Sequence, residues 1–220
     1  MEIVRERFTQ QLKELQEDLV SMTHAAEKML QLSIESLKER NVEKAQEAIV
    51  LDDVVDDFNF KIEERCLSLI ALQQPVAKDL RIIAAILKVI TDVERIGDYS
   101  VDIAKFSIRL VEKPLFKPLI DVPRMADLVK GMLEEAITAF IQRDLTIVQK
   151  VVEADNEVDE LYRSVHEEVV ENIERDPNVT RQAIWVLMIA RYLERIGDHV
   201  TNITERIYYM ETGELIELHQ

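Results

Sequence analysis

Residues 81–98 read RIIAAILKVITDVERIGD, and residues 181–198 read RQAIWVLMIARYLERIGD. Seven positions agree at an offset of 100: Arg81, Leu87 and the block Glu94-Arg95-Ile96-Gly97-Asp98 recur as Arg181, Leu187 and Glu194-Arg195-Ile196-Gly197-Asp198. Apolar residues fall at helical spacing in both copies, so each predicts a long helix with one greasy face. Further upstream the offset becomes 103. It pairs Asn41 with Asp144, Asp52 with Asp155, Val55 with Val158 and Asp56 with Asp159. A three-residue difference in one connection explains both offsets, and the chain reads as a single helical unit written twice.

The breaks agree with that reading. All five prolines fall at three places: Pro75, Pro177, and the run Pro114, Pro118 and Pro123. A proline inside a helix costs about 3 kcal/mol, so these mark boundaries. Asn41 and Asp144 add two breaks, each with a side chain able to accept from orphan N–H groups at a helix start. Six helices are expected, over 3–39, 42–73, 78–112, 123–142, 145–175 and 179–211. Long helices with short connections pack as antiparallel neighbours. The predicted fold is therefore all-α: two tandem, pseudo-symmetric three-helix bundles, 1–112 and 124–220, joined by a linker at 113–123.

Composition narrows the function. The chain has 220 residues and a formal net charge of −16. That balance argues against nucleic acid, whose binders need basic faces, and against adhesion to anionic lipid. The longest apolar run, Ala183–Ala190, is far short of a membrane span, so no direct membrane insertion is expected. No secretory signal pattern opens the chain, and the single cysteine, Cys66, rules out an intrachain disulfide framework. A reducing cytoplasm is the expected setting.

Four pairs of acids recur at a spacing of four: Asp52/Asp56, Glu94/Asp98, Asp155/Asp159 and Glu194/Asp198. Residues four apart share a helix face about 6 Å apart, so each pair repels itself unless something positive intervenes. Hard cations take carboxylate oxygens and are the strongest candidates, Mg²⁺ or Mn²⁺ among them. Glu94 and Asp98 also lie at the edge of an apolar arc, where unpaired charge is costly. A structural salt bridge is the competing reading. Lys105 falls in the same sector and could supply it in the first half. In the second half its counterpart is Glu205, and Arg195, like Arg95, points toward the polar side. Asp102 and Asn202 continue the series as weaker candidate ligands. Gly97 and Gly197, mid-helix, predict a close helix–helix approach that brings the neighbouring acids within reach.

Other chemistry is thin. The four histidines, His24, His166, His199 and His219, share no ligand spacing, and no Glu-x-x-His of the di-iron bundles occurs. His199 reads as a surface residue, Cys66 as a buried small hydrophobe, Trp185 and the methionines as core. There is no Gly-rich phosphate loop.

The doubled ERIGD block, the DLR at 79–81 and the LDDVVDD/ADNEVDE pairs resemble the PhoU family of phosphate-uptake regulators, over the whole chain. The second copy keeps only Arg181 of the DLR. The resemblance implies paired three-helix bundles carrying multinuclear clusters, of iron or zinc, on the E/D-x-x-x-D motifs. It further implies a cytoplasmic, non-enzymatic homodimer that represses phosphate-starvation signalling by coupling a phosphate ABC transporter to a sensor histidine kinase. A carboxylate-bridged metal hydrolase or oxidase is the competing enzyme reading, though no histidine ligand or evident general base supports it. A purely structural helical adaptor is the third.

Overall fold

The computed structural model describes residues 2–112 and 114–218; His219 and Lys113 lie outside the described residues. Among them run seven α-helices: α1 (Glu2–Glu39), α2 (Val42–Val50), α3 (Asp52–Gln73), α4 (Ala77–Val111), α5 (Asp121–Gln142), α6 (Ile147–Arg175) and α7 (Thr180–Thr212). A short 3-10 turn, Pro177–Val179, leads into α7. No strand occurs among the described residues.

One predicted helix, 42–73, is two. The chain bends at Leu51, which is helical in neither neighbour yet hydrogen-bonds into both: its N–H donates to the Glu47 carbonyl at 3.2 Å and its carbonyl accepts from Val54 at 3.1 Å. The cause is competing burial. Helix α2 buries Ala45 and Ala48 in a small cluster with Leu32 and Ala104, whereas α3 buries Val55, Ile62, Cys66 and Leu69 in the main core. No straight helix serves both. The bend also starts a new helix at Asp52 and Asp53, where a carboxylate is favoured by the helix dipole.

Caps follow the sequence in one half and depart from it in the other. Asn41 caps α2, its side chain accepting from Lys44 N–H at 3.2 Å. Asp144 instead accepts from Thr146 N–H at 2.9 Å, closing a turn, and α6 begins at Ile147 rather than 145. The preceding residue, Arg143, ends α5 in the left-handed region at φ 57°.

Helices α1, α3 and α4, with α2, form one bundle, and α5, α6 and α7 form the other. Helices α4 and α7 pack on each other through the middle and cross antiparallel. Asp92 meets His199 across this seam at 2.8 Å, and Tyr99 stacks on Tyr192 with centroids 5.5 Å apart. These two contacts are exchanged by the same offset of 100, so the seam carries the pseudo-two-fold axis. One continuous apolar core runs through it, from Leu15 and Met29 to Ile96, Ile196 and Leu193.

Candidate metal-binding acidic faces

Each repeat brings two of its acid pairs together on facing helices. Gly97 is buried in α4 where α3 crosses it; a Cβ there would stand 3.5 Å from Val55 Cγ1 and 3.6 Å from Asp52 Oδ1. At Gly197 a Cβ would come 2.9 Å from Asp155 Oδ1. The expectation from two mid-helix glycines thus holds, and the close approach is to the acids themselves. The two differ in tightness. Gly97→Ala meets ordinary contacts and gains helix propensity, so it should stabilise the chain by about 0.5–1 kcal/mol. Gly197→Ala instead forces the Asp155 carboxylate to move. The same gain should then be cancelled, and paired thermal melts of the two variants would show it.

Crowding raises the affinity of these carboxyls for protons. Burial pushes Asp52 up, assisted by the charges of Asp56 and Asp98; Lys105 opposes it. Glu94 is pushed up by burial, then by Asp98 and, across the helices, Asp56. Glu194 follows the same pattern, with burial first, then Asp198 and Asp159, against Arg191 and Arg195. Acids on α3 and α4, and on α6 and α7, therefore feel one another.

The side chains that hold the two glutamates differ. Asn59 of α3 donates to Glu94 Oε2 at 2.6 Å. Its counterpart, Tyr162 of α6, is aromatic and packs against the Arg191 guanidinium, 5.6 Å from the ring centre. Arg191, where the first repeat has Thr91, in turn pairs with Glu194. Arg95 and Arg195 are not turned away as their helical angle suggested: they pair with Asp98 at 2.7 Å and Asp198 at 3.0 Å. Their flexible stems reach back across one turn. Glu205 is buried, and its carboxylate is engaged by the Leu218 N–H at 2.7 Å. So the second half has its own cations, contrary to expectation, and Arg191 at three residues before Glu194 was the missed signal. Arg163 adds a longer contact to Asp159, 3.6 Å.

Asp102 and Asn202 belong to the seam. Asn202 donates to Asp92 at 3.3 Å, and Asp102 lies beside the Tyr192 phenol, with Lys105 3.5 Å away. His199 is likewise no surface residue: its side chain is 20% exposed, paired with Asp92 and tilted against Tyr99. Cys66 is fully buried and its thiol is pushed up to about 12 by burial, as befits an inert packing residue.

What the faces can do follows from their donors. Glu194 Oε2 is buried without a hydrogen-bond partner, and the crowded carboxylates form an all-oxygen set suited to hard cations. Among the described residues, no three His, Cys, Asp or Glu side chains are gathered tightly enough to enclose an ion. The donor type is one that hard cations take, while the acids stand in four i, i+4 pairs, partly engaged by arginines.

Comparison with known proteins adds the rest. The family model described as the PhoU domain matches residues 19–107 and 122–207, once in each repeat. A phosphate-specific transport system accessory protein PhoU homolog of Aquifex aeolicus is 37% identical over 96% of both chains. A homolog of the same description from Clostridium acetobutylicum is 36% identical over 98% of this chain and 99% of its own. The crystal structure of PhoU from Pseudomonas aeruginosa superposes with a TM-score of 0.91 at 31% identity, covering 94% of this chain and all of that one. The phosphate transport system regulatory protein PhoU from Streptococcus pneumoniae superposes at 0.87, with 27% identity over 96% and 99%.

Proposed function

The chain belongs to the PhoU family, and from that premise we propose that it is a non-catalytic accessory regulator of a phosphate-specific transport system. The observation that carries this reading is near-complete coverage in both directions by relatives described as accessory to that system. In this reading it works in the cytoplasm, as a homodimer, as an adaptor between the phosphate ABC transporter and a sensor histidine kinase, holding starvation signalling off when phosphate is plentiful. No helix among the described residues is long and apolar enough to cross a membrane, so contact with the transporter goes through protein surfaces. Deleting the gene from its host should raise phosphate-starvation transcription in high-phosphate medium. Unchanged transcription there would defeat the proposal.

The acidic faces supply the second part. Asp52, Asp56, Glu94 and Asp98 would hold cations in the first repeat, and Asp155, Asp159, Glu194 and Asp198 in the second. A bound cation would neutralise the facing acids and lock α3 to α4 and α6 to α7. Iron or zinc suit the family expectation, and the all-oxygen donors equally suit Mg²⁺ or Mn²⁺. Glu94→Gln with Asp98→Asn should lower the metal content of protein purified without chelator, read by elemental analysis, while circular dichroism stays helical. Unaltered metal content, or loss of the helical signal, would make these acids scaffold instead.

A further inference from the structure

The internal duplication exposes a difference between the two ends of the α4–α7 seam. Where α4 begins and α7 ends, the cations have a carboxylate of their own. Glu211, with a side chain 14% exposed, accepts from Lys78 at 2.7 Å and from Arg143 at 2.9 Å. Arg81 completes that end, its guanidinium standing 3.6 Å from where a Cβ on Gly213 would be, at the carbonyl-rich terminus of α7. At the opposite end, where α7 begins and α4 ends, Arg181 repeats Arg81, but Val111 stands where Glu211 does. The acid has been lost and the guanidinium kept.

A cavity of about 400 Å³ opens at that place. Arg109, Arg181, Gln182, Phe116 and Trp185 line it, together with one acid, Glu112. Gln182 clamps the linker against α7, accepting from Phe116 N–H at 3.0 Å and donating to the Pro114 carbonyl at 2.9 Å, which holds Phe116 in the wall. Arg109 is steadied over the Phe106 ring at 5.2 Å. Among the described residues neither Arg109 nor Arg181 makes an ion pair. Two guanidinium groups without an ion pair thus converge on one cavity that holds a single acid, Glu112, which leaves room for an acidic group from outside. The volume falls in the range of small-molecule sites, and Trp185 with Phe116 offers flat apolar walls that an inorganic ion alone would not use.

We propose that this cavity binds a small phosphorylated organic ligand, with Arg109 and Arg181 on the phosphate and the Trp185 and Phe116 rings against the organic part. It lies about three helical turns along α4 from Asp98, apart from the acidic faces, and stands or falls independently of them and of the transport role.

Trp185 is the only tryptophan, so intrinsic fluorescence reports on this cavity directly. The full-length protein, in phosphate-free buffer, would be titrated with adenosine 5′-monophosphate, with adenosine and with inorganic phosphate, and binding confirmed by calorimetry. The expected result is a saturable fluorescence change with the monophosphate, and binding about tenfold weaker for adenosine and for phosphate alone. Arg109→Gln and Arg181→Gln should each weaken the monophosphate about tenfold, with circular dichroism unchanged, while the exposed Arg175→Gln binds as the parent does. No saturation with the monophosphate, adenosine binding as tightly as it, or indifference of both arginine variants would overturn the phosphate site. Phosphate alone binding as tightly would overturn the role of the rings. Should Arg181→Gln fail to fold, Arg109→Gln, more than twenty residues from any part of α7 in sequence, carries the test.

Discussion

Arg191→Ala lowers the stability of the chelator-treated protein by about 2 kcal/mol, a fall in melting temperature of about 4–8 °C for a chain of this length. Its partner explains the size. Glu194 has a side chain only 13% exposed, one oxygen without a hydrogen bond, and two like charges, Asp198 and Asp159, close by. Breaking a fully buried ion pair by removing one member costs about 3–5 kcal/mol; here Arg191 is a third exposed, so water recovers part of the loss. Adding Glu194→Gln to Arg191→Ala removes the stranded charge and should restore most of the stability. A double variant as weak as the single one would assign Arg191 to packing on Tyr162 instead. Added divalent metal should rescue Arg191→Ala more than it raises the parent, because a cation on the face does the arginine's work.

That experiment bears on a place where sequence and structure diverge for a physical reason. Helical angle alone turned Arg95 and Arg195 from the acids, but an arginine stem spans a full turn, and both reach Asp98 and Asp198. Angle also set Glu205 among the second face, whereas the chain beyond α7 doubles back and takes that carboxylate for the Leu218 N–H. Neither event leaves a periodic mark. The duplication, the helix count in the second half and the close approach at Gly97 and Gly197 were legible, because each depends on spacing within one helix or on the repeat itself. The bend at Leu51 was not, since no glycine or proline announces it; it arises from two separate clusters pulling α2 and α3 to different sides. The seam was hidden too. Asp92, His199, Asp102 and Asn202 are ordinary helix residues until α4 and α7 cross, and only then does Asp92 gather His199 and Asn202.

Ile96→Ala, in the first repeat, should destabilise the whole chain by about 2–5 kcal/mol, and the loss should appear equally in the second repeat. Ile96 is fully buried, and it belongs to a core cluster that continues without a break through Val200 and Ile196 into the α5–α6 layer at Met132 and Val158. The duplicated sequence suggests two bundles with separate stabilities. A shared core argues otherwise, because an α4 that loosens uncovers α7 as well, and neither face can then keep its apolar side from water. Trp185 sits on α7 of the second repeat and reports on its surroundings there, while circular dichroism reads all the helices. In denaturant titrations the two signals should move together to a lower midpoint in the variant with the slope unchanged. If the Trp185 midpoint stays at its parent value while the helical signal becomes biphasic, the repeats are independent folding units that merely touch. Coincident shifts mean that the pseudo-two-fold seam makes one cooperative body of them. Whatever locks the acidic face of one repeat then stabilises the other through the crossing of α4 and α7, with no contact required between the two faces.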